Sequence, residues 1–170
     1  MSGLDRLNAL SADQAERELL TCCGSRAWAR RVADARPFAA PSALFDAADA
    51  AWWDLDEADW REAFRSHPKI GEKKAQAGQT GREQAWSAGE QAGMARAATA
   101  TRDALADGNR AYEARFGYIY IVCATGRTAD EMLALLQSRL QNDADTEIRV
   151  AAEEQRRITR VRLEKLLAAG

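Results

Sequence analysis

Only one stretch of this 170-residue sequence, Tyr118-Ile119-Tyr120-Ile121-Val122-Cys123-Ala124, has the β-branched and aromatic composition of a strand. One strand cannot make a sheet, because its backbone donors and acceptors need a neighbouring strand. The run therefore predicts a buried extended segment, or a helix imposed over local propensity. The rest of the chain reads as helix, with three prolines in all and abundant alanine. The expected fold is all-α: a single-domain helical bundle of about eight helices over residues 1–170, without internal repeats.

The helices can be placed from their ends. Ser11 followed by Gln14 is a capping box that opens a helix near residue 12, with Leu19, Leu20 and Cys23 on its apolar face. A second runs from about Ser25 toward Arg36 and stops at Pro37. Pro41-Ser42 opens a third, with Leu44, Phe45, Ala48 and Trp52 at helical spacing. A fourth covers about Glu57 to Arg65 and ends at His67-Pro68. Residues 71–83, polar and rich in glycine, have no apolar face and read as a mobile loop suited to a lid. A long helical tract follows from about Glu83 to Ala106, with a break near Gly93. Gly108-Asn109 reads as a turn into a short helix ending at Phe116-Gly117. Thr128 caps a helix bearing Met132, Leu133, Leu136 and Leu140, and the last helix spans about Asp145 to Leu167.

Composition matters mainly for what it excludes. The net charge of −2 gives no general basic excess for nucleic acid. No apolar run reaches the ~18 residues of a membrane span, and the first residues lack the order of a signal peptide. Leu167-Ala168-Ala169-Gly170 is not a peroxisomal address, and a cytoplasmic, bacterial protein is expected. Cys22, Cys23 and Cys123 are odd in number and two are adjacent, a poor disulfide framework. With one histidine and no spaced cysteine pairs, a zinc site is not expected, and the three thiols read as small buried hydrophobes.

Three features have chemical content. His67 lies between a helix end and the loop, with its backbone restricted by Pro68, and histidine titrates nearest neutrality. It is either a proton-transfer residue or a surface histidine at a helix end. Ser87, Glu90 and Gln91 fall at i, i+3 and i+4, so a hydroxyl, a carboxylate and an amide share one face. That set suits a polar substrate, or is a solvated face. On the last helix Ile148, Ala152, Gln155, Thr159, Arg162 and Leu166 form one stripe, while Arg149, Arg156, Arg157 and Arg160 fall away from it. Arg162 is thus aimed inward, and a buried guanidinium needs an anion, from the protein or from a ligand. Trp28, Trp52, Trp53, Trp60 and Trp86 read as core or lining residues. Gly126-Arg127-Thr128 before a helix could suit an anion at the helix N-terminus but is a weak signal, and Lys73, Lys74 and Arg82 read as a solvated loop.

The order of these pieces resembles a known family. His67-Pro68-Lys69-Ile70-Gly71 is similar to the HP-x-[IL]-[GA] motif of the 2-oxo-4-hydroxy-4-carboxy-5-ureidoimidazoline (OHCU) decarboxylases. Ser87-x-x-Glu90-Gln91 with Met94 resembles their S-x-x-EQ segment, and Arg115-Phe116-Gly117 through Gly126-Arg127 their RFG…GR block. Leu140-Gln141-Asn142 with Glu147, then Ile158-Thr159-x-x-Arg162-Leu163, is similar to their closing helices. The sequence departs from many members in having Tyr118-Ile119-Tyr120 for Phe-Pro-Phe, and in a loop rich in glycine and glutamine.

The resemblance implies an all-α homodimer that converts OHCU to S-allantoin in urate and purine catabolism, with neither a metal nor an organic cofactor. It implies His67 and Glu90 as the catalytic pair, and Pro68, Ser87, Gln91 and Arg162 as substrate-binding residues. Backbone groups from Phe116 to Ala124, Ile119 and Ile121 among them, would line the pocket. The partner implied is a small ureide, with no nucleic acid and no membrane. The alternatives are a non-catalytic helical binding module and a hydrolase of a related ureide.

Overall fold

The computed structural model describes residues 1–70, 81–90 and 97–170. Among these residues there are nine α-helices and no strand: α1 Gly3–Ala9, α2 Ala12–Leu20, α3 Arg26–Asp34, α4 Pro41–Trp53, α5 Glu57–Phe64, α6 Gly81–Glu90, α7 Thr99–Phe116, α8 Ala129–Arg139 and α9 Ala144–Ala168. The all-α expectation holds. None of the helices is long and apolar enough to cross a membrane. The chain divides into two compact units, Met1–Ala63 with Arg156–Gly170, and Phe64–Gln155; the division falls within α9.

In the first unit, helix ends are closed by side chains, one pair of them read from the sequence. Ser11 and Gln14 form the expected reciprocal capping box on α2, and Ser25 accepts from the Trp28 amide to start α3. Helix α1 was not anticipated, although Ser2 and Asp5 make the same kind of box. Its last carbonyls are satisfied by Arg36, whose guanidinium donates to Leu7 and Leu10 at 2.8 Å each. Gly3 is required at its position: a Cβ there would lie 2.0 Å from the Leu167 carbonyl oxygen. Trp28 and Trp60 bury their rings and donate their indole N–H groups to the carbonyls of Ala48 and Trp52, at 3.0 and 2.9 Å.

The second unit answers the question posed by residues 118–124. They form neither helix nor strand, and all but half-buried Ile119 are buried. Side chains take the place of a sheet partner. Arg139 of α8 donates to the Ile121 carbonyl at 2.7 Å, and the Cys123 amide donates to Glu154 of α9 at 3.3 Å. The Tyr120 hydroxyl donates to the Met132 carbonyl at 2.9 Å. Arg139 is in turn held by Glu147 through two nitrogens, at 2.9 and 2.6 Å, with both side chains buried. Tyr112 and Asn142 also donate to Glu147, and the Arg139 guanidinium lies over the rings of Tyr112 and Tyr120.

Two boundaries differ from the expectations. Gly81 to Glu83 belong to α6 and not to a loop; Glu83 is buried, and Arg82 lies over the Trp86 ring one turn on. Residues 71–80, the rest of the expected loop, lie outside the described residues, as do 91–96 with the expected break near Gly93. Gly108-Asn109 is no turn but the interior of α7, which runs unbroken from Thr99 to Phe116. The glycine serves packing: a Cβ at 108 would meet Leu136 of α8 at 2.5 Å.

The Arg139–Glu147 pair gives a stability prediction. Arg139→Met leaves Glu147 buried without its cation and removes the donor to Ile121. It should cost about 3–5 kcal/mol, the usual range for breaking a buried pair from one side, measured by urea denaturation. A cost below ~1 kcal/mol would show that the pair does not hold this region.

Candidate active site

His67 follows α5, its amide closing a turn onto the Phe64 carbonyl at 3.3 Å. It is not a surface histidine, being only 6% exposed, and Pro68 beside it is buried. Its ring Nε2 lies 2.6 Å from Oε1 of Gln155 on α9. The backbone that carries the ring is tied down further along. Lys69 pairs with Glu113 of α7 at 3.0 Å, and Asn109 of α7 donates to the Ile70 carbonyl at 3.2 Å. A short connecting segment is thus held from two helices, which is what a group that must meet a substrate at fixed geometry requires.

Ser87 and Glu90 lie on one face of α6, the serine buried and the glutamate half-buried at the last helical position. Gln91 lies outside the described residues. The Glu90 carboxylate is near enough to Cys123 for its charge to act on that thiol. Cys123 also donates its amide to Glu154, the residue before Gln155. Glu90, the 118–124 run, Glu154, Gln155 and His67 therefore belong to one connected neighbourhood. Ile121 is buried and Ile119 half-buried. The Ile121 carbonyl and the Cys123 amide are engaged by Arg139 and Glu154 respectively.

Arg162 lies in the first unit, on the inward stripe of α9 as expected. Ile148, Ala152, Gln155, Thr159, Arg162 and Leu166 are all buried. Its Nη1 donates to the Thr21 carbonyl at 3.3 Å. It also sits beside Cys23. Burial pushes that thiol up to about 12, while a hydrogen bond from the Ser25 backbone, one with Thr159 and the Arg162 charge pull the other way. Cys123 is likewise raised, chiefly by burial, and all three cysteines are buried free thiols. Their reading as inert core residues agrees with this.

The Gly126-Arg127-Thr128 segment turns its donors on the protein itself. Arg127 pairs with Glu154, and Thr128 and Glu131 form the capping box of α8. Among the described residues no group of three or more His, Cys, Asp or Glu side chains could hold a metal.

Sequence reasoning missed Arg139, Glu154 and Gln155 as parts of this region. Arg139 stands at i+7 from Met132 and i+3 from Leu136, both buried, so its inward position could have been read from α8. Gln155 was placed on the inward stripe without a partner, because the pairing to His67 spans 88 residues.

A family model described as OHCU decarboxylase matches residues 8–164. The chain is 33% identical over 153 residues to the uric acid degradation bifunctional protein TTL of Arabidopsis thaliana, covering 90% of this chain and 47% of that protein. The chain thus spans about half the length of that curated relative. It is 27% identical over 135 residues to a 2-oxo-4-hydroxy-4-carboxy-5-ureidoimidazoline decarboxylase of Haloferax volcanii, covering 79% and 77% of the two chains. Among solved structures, it is similar to an OHCU decarboxylase determined in the presence of (S)-allantoin, with a TM-score of 0.75 and 34% identity over 89% of this chain and 97% of that one.

The Cys23 thiol predicts an alkaline weakness. Unfolding returns it from about 12 to an ordinary value of 9.0. Below pH 9 both states hold the proton and nothing is lost. Between pH 9 and 12 the unfolded chain ionises first, so stability falls as pH rises, by up to about 1.4 kcal/mol per pH unit. Cys23→Ala should make this decline shallower in urea denaturations at pH 8 to 10.5. An identical slope in the two proteins would show that the thiol is not held protonated.

Proposed function

This chain belongs to the OHCU decarboxylase family, and on that premise we propose that it converts OHCU to S-allantoin and carbon dioxide in urate catabolism. The observation that carries this reading is the ring of His67, the one histidine of the chain, buried and held within the stretch that the family model covers. A solvated helix-end histidine would need neither burial nor a ring partner.

The chemistry suits such a site. The carbon that bears the carboxylate of OHCU also bears a hydroxyl and adjoins a ring C=N bond. When the C–COO⁻ bond breaks, its electron pair forms a C=C bond and the C=N pair moves onto nitrogen, which takes up a proton. Transfer of the hydroxyl proton and protonation of the adjoining carbon then give allantoin. The substrate supplies its own electron sink, so the tasks left to the protein are orientation, exclusion of water and placement of protons.

In this reading His67 and Glu90 handle protons on the hydroxyl and on the enol that forms, and the adjoining carbon is protonated from one face only. Ser87 and Gln91 bind ring or ureido groups, and Arg162 binds an anionic or carbonyl oxygen of the substrate. Pro68 restrains His67, and Ile119 and Ile121 contribute apolar wall, which favours loss of charge as neutral carbon dioxide. Residues 1–170 work as one domain, in a homodimer and in the cytoplasm, with a small ureide as partner.

The test is time-resolved circular dichroism on freshly generated OHCU, which decays unaided to racemic allantoin. With the protein, decay should accelerate and leave a lasting signal of one hand. His67→Asn should lower kcat by about a hundred- to ten-thousand-fold, the span for losing a proton-transfer group, with its far-ultraviolet spectrum unchanged. Racemic product at the unaided rate would overturn the assignment, and normal turnover by His67→Asn would overturn the mechanism.

A further inference from the structure

We infer that Gln155 is a positioning residue, setting which nitrogen of His67 gains and loses the proton. This rests on the reading of His67 as the proton-transfer residue. Gln155 is fully buried, and its Oε1 lies 2.6 Å from His67 Nε2. A carbonyl oxygen can only accept, so Nε2 is the donor and carries hydrogen in this bond. That holds for the neutral ring and for the imidazolium alike. The proton that distinguishes those two states then sits on Nδ1, and exchange with the substrate runs through that atom. The partner of one ring nitrogen decides the chemistry of the other.

The surrounding restraints make this a constraint on the whole ring. Gln155 lies on α9, next to Glu154, which accepts from the Cys123 amide. The backbone after the ring is held from α7, through Asn109 on Ile70 and Glu113 on Lys69. Turning the ring over would carry Nε2 away from Gln155 and break that bond in a buried setting, where an unmade hydrogen bond is costly.

His67 is the only histidine, so protein labelled with ¹⁵N-histidine and carrying no histidine tag reports a single imidazole. Long-range ¹H–¹⁵N spectra of the neutral ring should show Nε2 as the protonated nitrogen. Gln155→Met should weaken that preference and lower kcat about 10- to 100-fold, the scale seen for partners that orient metal-ligating histidines, with KM changed less than about twofold. Gln155→Glu, which keeps an acceptor oxygen, should retain the tautomer and recover most of kcat. A wild-type ring protonated at Nδ1, as a reversed amide would give, overturns the inference. So does Gln155→Met with unchanged kcat. The wild-type spectrum can overturn the inference even if Gln155→Met does not fold. Normal turnover by His67→Asn would instead remove the underlying reading, and the spectrum would still report the tautomer.

Discussion

A stretch of buried backbone without a sheet is the constraint on which the second unit depends. Residues 118–124 bury aromatic and branched side chains but have no strand beside them among the described residues. Each buried backbone group left unmatched would cost on the order of 1–3 kcal/mol. The solution is to bring charged side chains in from two helices, Arg139 to a carbonyl and Glu154 to an amide. Those charges need neutralising in turn, hence Glu147 behind Arg139 and Arg127 on Glu154. A local shortage of strand partners thus accounts for much of the buried charge in this unit.

This explains which parts of the structure were legible from the sequence. Features encoded within one turn of helix were open to reading: the caps at Ser11 and Thr128, the helix start near Ser25, the proline start of α4, and the inward stripe of α9. The tension at 118–124 was also visible, because a lone strand is a physical contradiction wherever it occurs. Its resolution was not, since Arg139 and Glu154 are ordinary helix residues until their partners are known. Gly108 shows the opposite failure: glycine read as a turn sits inside α7, where a Cβ would press on the tip of the Leu136 side chain. Local propensity gave way there to contact between helices.

The candidate site divides along the same line. The residue types at His67, Ser87, Glu90 and Arg162 could be singled out from the sequence, and His67, Ser87 and Arg162 are each buried within their own unit. The partner that orients His67 could not be read, because nothing local links positions 67 and 155. Family resemblance named the polar groups, and the coordinates add the hydrogen bond that holds the ring.

One feature of α9 reaches beyond either role described for it. Glu154 and Gln155 are consecutive, so they leave the helix about 100° apart, one toward the backbone of Cys123 and the other toward the ring of His67. The support of the extended run and the proposed proton-transfer ring therefore share a single rung. A change that rotates this rung, such as an inserted or deleted residue earlier in the helix, moves both at once. Sequence drift along α9 is then filtered for phase as well as for residue type, and length changes in this protein have to be accommodated in connections outside that helix.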